Sequence, residues 1–215
     1  MTRTNSTRRN AIPSLATLLS CLLLSSCSMF GYGDGSGVKD SAWIEASPIL
    51  EQQIQDEVSR LPWTHGFERL EQIRWFASVG EPAYPALLAL VNDPRDDVAA
   101  AALASLGATM DRRLVASVRE IEWSEARAHS DLRHERARTL LRLGDWSEIP
   151  TLIDGLRDKR VYTRSLALES LKESTQQTMG FDPHSDEEAR LQGIDRWERW
   201  WLDRSNDELL SVASE

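Results

Sequence analysis

The chain has 215 residues, of which 41% are hydrophobic and 27% charged, and it carries a formal charge of −9. An excess of 34 acidic over 25 basic side chains repels phosphate backbones, which argues against a nucleic-acid partner. Two cysteines are too few for a disulfide framework, so a folded part must rest on its apolar core.

The chain opens with Arg3, Arg8 and Arg9 and no acid, followed by a mostly apolar or small stretch from Ala11 to Leu24. A positive start and an apolar core of this length form a secretory signal. A spanning helix needs about 20 apolar residues. This stretch is shorter and is interrupted by Ser14, Thr17 and Ser20. It ends in Leu24-Ser25-Ser26-Cys27, which resembles the lipobox of bacterial lipoproteins. The resemblance implies cleavage before Cys27 and acylation of Cys27, with palmitate-type chains holding the protein on a membrane of the bacterial envelope. An ordinary secretory signal cut nearby, with Cys27 incidental, is the competing reading. Arg8-Arg9 also faintly resembles a twin-arginine signal, but Ala11 stands where a bulky apolar residue is expected. Residues 1–26 are thus read as signal peptide. Their loss removes Cys21 and three positive charges, leaving a remainder of charge −12. That charge disfavours a basic face on anionic lipid, so the membrane is expected to be met through the anchor.

Residues 27–46 read as a tether, because Gly31, Gly33, Gly35 and Gly37 make a flexible run. From residue 47 the pattern is helical and predicts an all-α fold over 47–204, with a frayed tail over 205–215. The punctuation is Gly80, Pro82, Pro94, Gly107, Gly144, Pro150, Gly180 and Pro183. The first helices are expected over 48–61 and 67–79, closing the N-terminal end with Trp63, Trp75 and Phe76.

Residues 85–106 and 150–171 align without a gap at an offset of 65. Pro85 meets Pro150, Asp93 meets Asp158, Arg95 meets Arg160, Ala102 meets Ala167, and Leu106 meets Leu171. An offset of that size suits two helical hairpins, with the run Arg136–Leu143 as second helix of the unit between. Val79-Gly80 and Leu143-Gly144 echo Leu106-Gly107. Such grammar indicates a repeat architecture. The residues resemble HEAT repeats, in which an Asp-containing turn leads into a second helix carrying Val, Arg, Ala and Leu-Gly. Asp93, Val98, Ala102, Leu106 and Gly107 match, as do Asp158, Arg164, Ala167 and Leu171. Ala99, Thr163 and Lys172 depart from the pattern. The resemblance implies a short α-solenoid of helical hairpins with N- and C-terminal capping helices and a partner-binding concave face. The last helix is expected over 186–203. It would open at Ser185-Asp186-Glu187-Glu188 and bury a stripe of Leu191, Ile194, Trp197 and Trp201.

Candidate chemistry is sparse. Di-iron deoxyhypusine hydroxylases are HEAT-repeat enzymes that use several His-Glu pairs, and this chain has one, His134-Glu135. His129 and His134 are five apart, which does not set both squarely on one helix face. No catalytic residue, metal set or cofactor is assigned. Arg133, Arg136, Arg138 and Arg142, with Arg160 and Arg164, form a basic cluster in an acidic chain. Either they bind an acidic partner on an inner face, or they bridge repeats as ion pairs, for instance Arg164 with Asp158. Trp200 either anchors a partner or packs on the preceding hairpin. The leading reading is a membrane-anchored, noncatalytic protein-binding scaffold or adaptor at the bacterial envelope, with a protein partner. The alternatives are a metal-binding or enzymatic protein using the His129–Glu135 region, and a carrier of a small apolar ligand.

Overall fold

The computed structural model describes residues 43–125 and 131–206. Cys27, the Gly-rich run, His129 and the tail from residue 207 lie outside the described residues. The described residues are all-α, and no β-strand occurs among them. The α-helices are α1 (Pro48–Arg60), α2 (Gly66–Val79), α3 (Tyr84–Leu90), α4 (Asp96–Ala108), α5 (Leu114–Arg119), α6 (Leu132–Arg142), α7 (Ile149–Gly155), α8 (Val161–Thr175) and α9 (Glu187–Ser205). Short 3-10 turns over Leu61–Trp63, Glu81–Ala83 and Trp146–Glu148 precede α2, α3 and α7. None of the described helices is long and apolar enough to cross a membrane.

The helices pack in chain order. The second helix of each pair forms a row in which α2 lies on α4, α4 on α6, and α6 on α8. Outside this row, α3 packs on α4, α5 on α6 and α7 on α8, while α1 touches α3 and α9 touches α7.

The aligned residues of the sequence repeat perform the same local tasks. Pro85 and Pro150 sit in the first turns of α3 and α7, where a missing N–H costs nothing. The likeness extends upstream of the aligned segment, because each helix follows a 3-10 turn at the same offset. Asp93 Oδ1 accepts the Arg95 backbone N–H at 2.9 Å, and the same carboxylate takes the Arg95 guanidinium at 2.8 and 2.7 Å. Asp158 clips Arg160 identically, with the backbone bond at 2.7 Å and guanidinium bonds at 3.1 and 3.2 Å. This clip holds Arg95 and Arg160 extended at the N-cap positions of α4 and α8, with φ of −87° and −85°. A third clip, Asp111 on Arg113, precedes α5.

The three echoes of Leu-Gly prove to be two devices. Gly80 and Gly144 end their helices at φ +71° and +91°, a backbone that side chains disfavour. Gly107 lies inside α4, where an added Cβ would come 3.2 Å from Thr139 Cα. It lets α6 approach nearly backbone to backbone. Thr139 Oγ1 then donates to Leu103 O at 2.9 Å across the contact.

Two apolar clusters follow. The first runs from Ile54 to Leu143 around α4, and the second joins α6, α7, α8 and α9 around Trp197, which is fully buried. Several expectations need correcting. Trp63 does not fill the N-terminal end but is 79% exposed, while Phe76 is buried and Trp75 half-buried there. The reason is positional: Trp63 ends a 3-10 turn and points away from the row. Leu191 leaves the buried stripe of α9 and is exposed, so burial rests on Gly193, Ile194 and Trp197. The N-cap of α9 is Asp186, whose carboxylate accepts from Ala189 N at 2.8 Å. Helix α6 starts four residues before the expected Arg136, at Leu132.

Candidate functional site

Of the expected site residues, Arg133 and Arg138 on α6 and Arg160 before α8 come to one edge of the row, while Arg136, Arg164 and Trp200 lie elsewhere. Helix α6 begins after Asp131, and its first turn faces the end of α7 and the turn before α8. There a cleft of about 600 Å³ is lined by Asp96, Asp131, Arg133, His134, Asp154, Arg157, Asp158 and Arg160. Beside it, between α6 and α8, lies a smaller cavity of about 50 Å³ walled in part by His134, Glu135, Arg138, Tyr162, Thr163 and Ser170. Asp131 and His134 border both.

The guanidiniums of this edge are largely engaged. Arg160 donates to Asp131 with both terminal nitrogens, one of them at 2.6 Å, and also to Asp158. The Arg160 guanidinium holds the carboxyls of Asp131 and Asp158 below the usual carboxylate range. Arg133 pairs with Asp154. Arg136 donates to Ile121 O at 3.2 Å and Arg119 O at 3.4 Å, and its guanidinium lies 5.7 Å over the Trp123 ring. Arg142 forms a two-pronged pair with Glu173. Arg164 is only 5% exposed and meets no carboxylate: it donates to Pro183 O at 3.0 and 2.6 Å, to Asp158 O at 2.8 Å and to Lys159 O at 2.9 Å. Its place is thus structural, stitching the loop before α9 to the start of α8, and the expected Arg164–Asp158 pair runs through the backbone carbonyl. The result is an edge of matched charges, with no broad positive stripe.

Three polar groups stand apart. The His134 ring packs on Gly155, where an added Cβ would come 3.0 Å from His134 Cδ2 and 3.1 Å from Ala167 Cβ. The missing side chain gives the imidazole room, since any Cβ here would press on both the ring and Ala167. Burial, and then the nearby Arg133, push the His134 pKa down, so the ring is neutral at pH 7. Its Nδ1 is buried with no hydrogen-bond partner among the described residues, as is Nε of Arg138. Glu135 has its pKa raised by burial, against the pull of Arg138 and Arg142. Unpartnered buried atoms such as His134 Nδ1 and Arg138 Nε are costly in a low-dielectric setting and mark a place where a ligand group would be welcome. Among the described residues no three His, Cys, Asp or Glu side chains converge to hold a metal ion.

Trp200 is half-buried and packs in a cluster rather than standing out. Its ring centroid is 5.4 Å from Trp197, 6.4 Å from Trp201 and 6.5 Å from Trp146, and Arg204 lies 5.9 Å above it. Sequence reasoning missed Asp96, Asp154 and Arg157, which line the cleft, and Gly155, on which the His134 ring packs. The close spacing of Asp154, Arg157, Asp158 and Arg160 in one turn was a signal for the charged edge, whereas Gly155 gave none. Compared with models of protein families, with curated proteins and with solved structures, the chain finds no match.

Proposed function

We propose that the protein is a bacterial envelope lipoprotein, acylated at Cys27, whose helices form a short HEAT-like solenoid that works as a noncatalytic protein-binding scaffold. The row α2, α4, α6, α8, each helix resting on the one before, is the observation that carries this reading. The recurrence of the Asp-x-Arg clip at matched turns supports it. Units that bury their apolar faces only on their neighbours leave an extended edge for a partner. On this chain that edge offers alternating carboxylates and guanidiniums, a surface suited to a polar peptide segment of mixed charge.

Crosslinking of the native lipidated protein, followed by capture and identification of the adduct, tests the proposal. The expected result is a defined envelope protein crosslinked near Asp154 or Arg157, lost when Asp154→Arg inverts the edge. Capture of no partner, or crosslinks unaffected by that change, would overturn it. Replacing Cys27 by Ser should release the protein from membranes, and retention would place the anchor elsewhere. The unpartnered Nδ1 of His134 favours one second reading, a metal-dependent protein. Stoichiometric iron or zinc in the purified protein, lost in His134→Ala, would establish it in place of the scaffold.

A further inference from the structure

The exposed apolar side chains are unevenly placed. Trp63 is 79% exposed, Phe67 74% and Leu70 50%, and all three gather at the start of α2. Phe67 and Leu70 are three apart and share a helix face, and Trp63 closes the 3-10 turn that comes just before α2. Helix α2 is also the first member of its row. Helices α4 and α6 each have a neighbour in the row on both sides, whereas α2 has α4 alone. Helix α2 buries Phe76 in the first cluster and Gln72 against α1, where Gln72 Nε2 donates to Glu57 Oε2 at 2.8 Å, and leaves Phe67, Leu70, Glu71 and Arg74 exposed. An open row end that shows Trp and Phe is an interaction surface.

Charge and chain connectivity single out its occupant. The protein is strongly acidic, but around this face most charge is paired: Arg60 meets Glu57 and Glu68, and Arg74 meets Glu71, which leaves a single net negative charge among the five. Helices α1 and α2 are the first two among the described residues after the segment that carries Cys27. Fifteen residues lie between Cys27 and Trp43, and at roughly 3.5 Å per step that stretch reaches at most about 55 Å. A surface held that close to a bilayer meets it at high effective concentration, so weak insertion suffices. Tryptophan sits well at a lipid headgroup boundary because its ring is apolar and its N–H polar.

We propose that Trp63, Phe67 and Leu70 rest in the interface of the membrane that holds the protein, making α2 a second, noncovalent contact with zwitterionic lipid. This rests on the lipoprotein reading above. The contact sets the row of helices against the bilayer at its N-terminal end and leaves the charged edge at α6 to α8 accessible.

The test uses the full lipidated protein reconstituted in phosphatidylcholine vesicles, with and without dibrominated phosphatidylcholine, which quenches indole on contact. The chain has eight tryptophans, so the Trp63 signal is taken as the difference between wild type and Trp63→Phe. Bromolipid is expected to quench that difference signal by at least half, while the corresponding Trp197 difference, taken with Trp197→Phe, stays unquenched. Phe67→Ser with Leu70→Ser should cut the Trp63 quenching several-fold while the protein still floats with vesicles. Protein that floats with vesicles but shows no Trp63 quenching overturns this contact and leaves the anchor intact. Trp63 shielded from iodide equally in lipid-free protein that runs as a dimer also overturns it, in favour of a second copy. Protein that does not float, or that floats equally as Cys27→Ser, instead defeats the anchor reading, and the two failures are thereby told apart.

Discussion

Helices α4 and α8 occupy the same place in two copies of one repeat, yet they are held in different ways. Helix α4 lies between α2 and α6 and buries Val98, Ala99, Ala101, Ala102, Leu103, Ser105, Leu106 and Gly107. Helix α8 has α6 on one side and buries Thr163, Arg164, Ala167, Ser170 and Leu171. Some features do not change: Ser105 and Ser170 each donate to the carbonyl four residues earlier at 2.8 Å. The telling pair is Ala99 and Arg164. Inside the row the position holds Ala99, fully buried in the first cluster. At the row's end the same position reaches an irregular loop, and Arg164 satisfies its carbonyls. One sequence pattern is thus solved by packing inside the row and by hydrogen bonding at its edge.

The comparison can be broken most sharply by exchange. Ala99→Arg forces a guanidinium into a fully buried position of the first apolar cluster, and the expected loss exceeds about 4 kcal/mol. Urea unfolding followed by circular dichroism should show no native baseline. If the variant unfolds normally, the interior of the row is not dry. Next in size is Arg164→Ala, which strands the carbonyls of Pro183, Asp158 and Lys159. Hydrogen bonds to a charged donor contribute about 1.5–3 kcal/mol each, and water replaces some of them, so a loss of about 3 kcal/mol is expected. Hydrogen exchange should rise in residues 176–186 before it rises in α4. A uniform increase would mean that Arg164 does not act on that loop.

Helix α6 repeats the contrast on its two sides. Toward α4 it is pressed against Gly107 and bonded through Thr139, while toward α8 it leaves the small cavity beside His134, Glu135 and Arg138. Thr139→Val keeps the shape and removes the bond to Leu103 O, so a loss of about 1 kcal/mol is expected from chemical denaturation. The smallest effect belongs to Glu135 and depends on pH. A carboxyl whose pKa burial raises keeps its proton longer in the fold than in the unfolded chain. Stability therefore falls as pH climbs from the ordinary glutamate value through the raised one. Glu135→Gln should match wild type below that window and become the more stable protein above it. A variant less stable at neutral pH would mean that the carboxylate has a partner in the fold.

How much of this was legible in the sequence depends on what each residue answers to. Pro85 and Pro150, Asp93 and Asp158, and Arg95 and Arg160 could be read because their tasks are local, within a turn or a cap. Ile194 and Trp197 could be read because burial follows helical period. Trp63 could not, since a bulky aromatic just before a helix looks the same whether a neighbour covers it or none does. Arg164 was legible as a basic residue but not as a buried one, because the carbonyls it serves belong to Pro183, nineteen residues later. The cleft was half legible: the arginines were visible on α6, but their neutralisation depends on Asp154 and on Asp131 reaching Arg160 across the row. Gly155 was silent, because the His134 ring that needs its missing side chain comes from another helix.

The entry of the chain at Trp43 has a mechanical consequence. The Trp43 ring stands edge-on to Tyr84 at 5.0 Å, Arg113 lies 5.5 Å over it, and Ile44 N donates to Glu81 Oε2 at 3.1 Å. All three holds belong to the second hairpin and the helix after it, not to α1. Tension arriving through the preceding segment loads these three holds together, so Trp43 and Ile44 act as a strain relief ahead of the terminal helix.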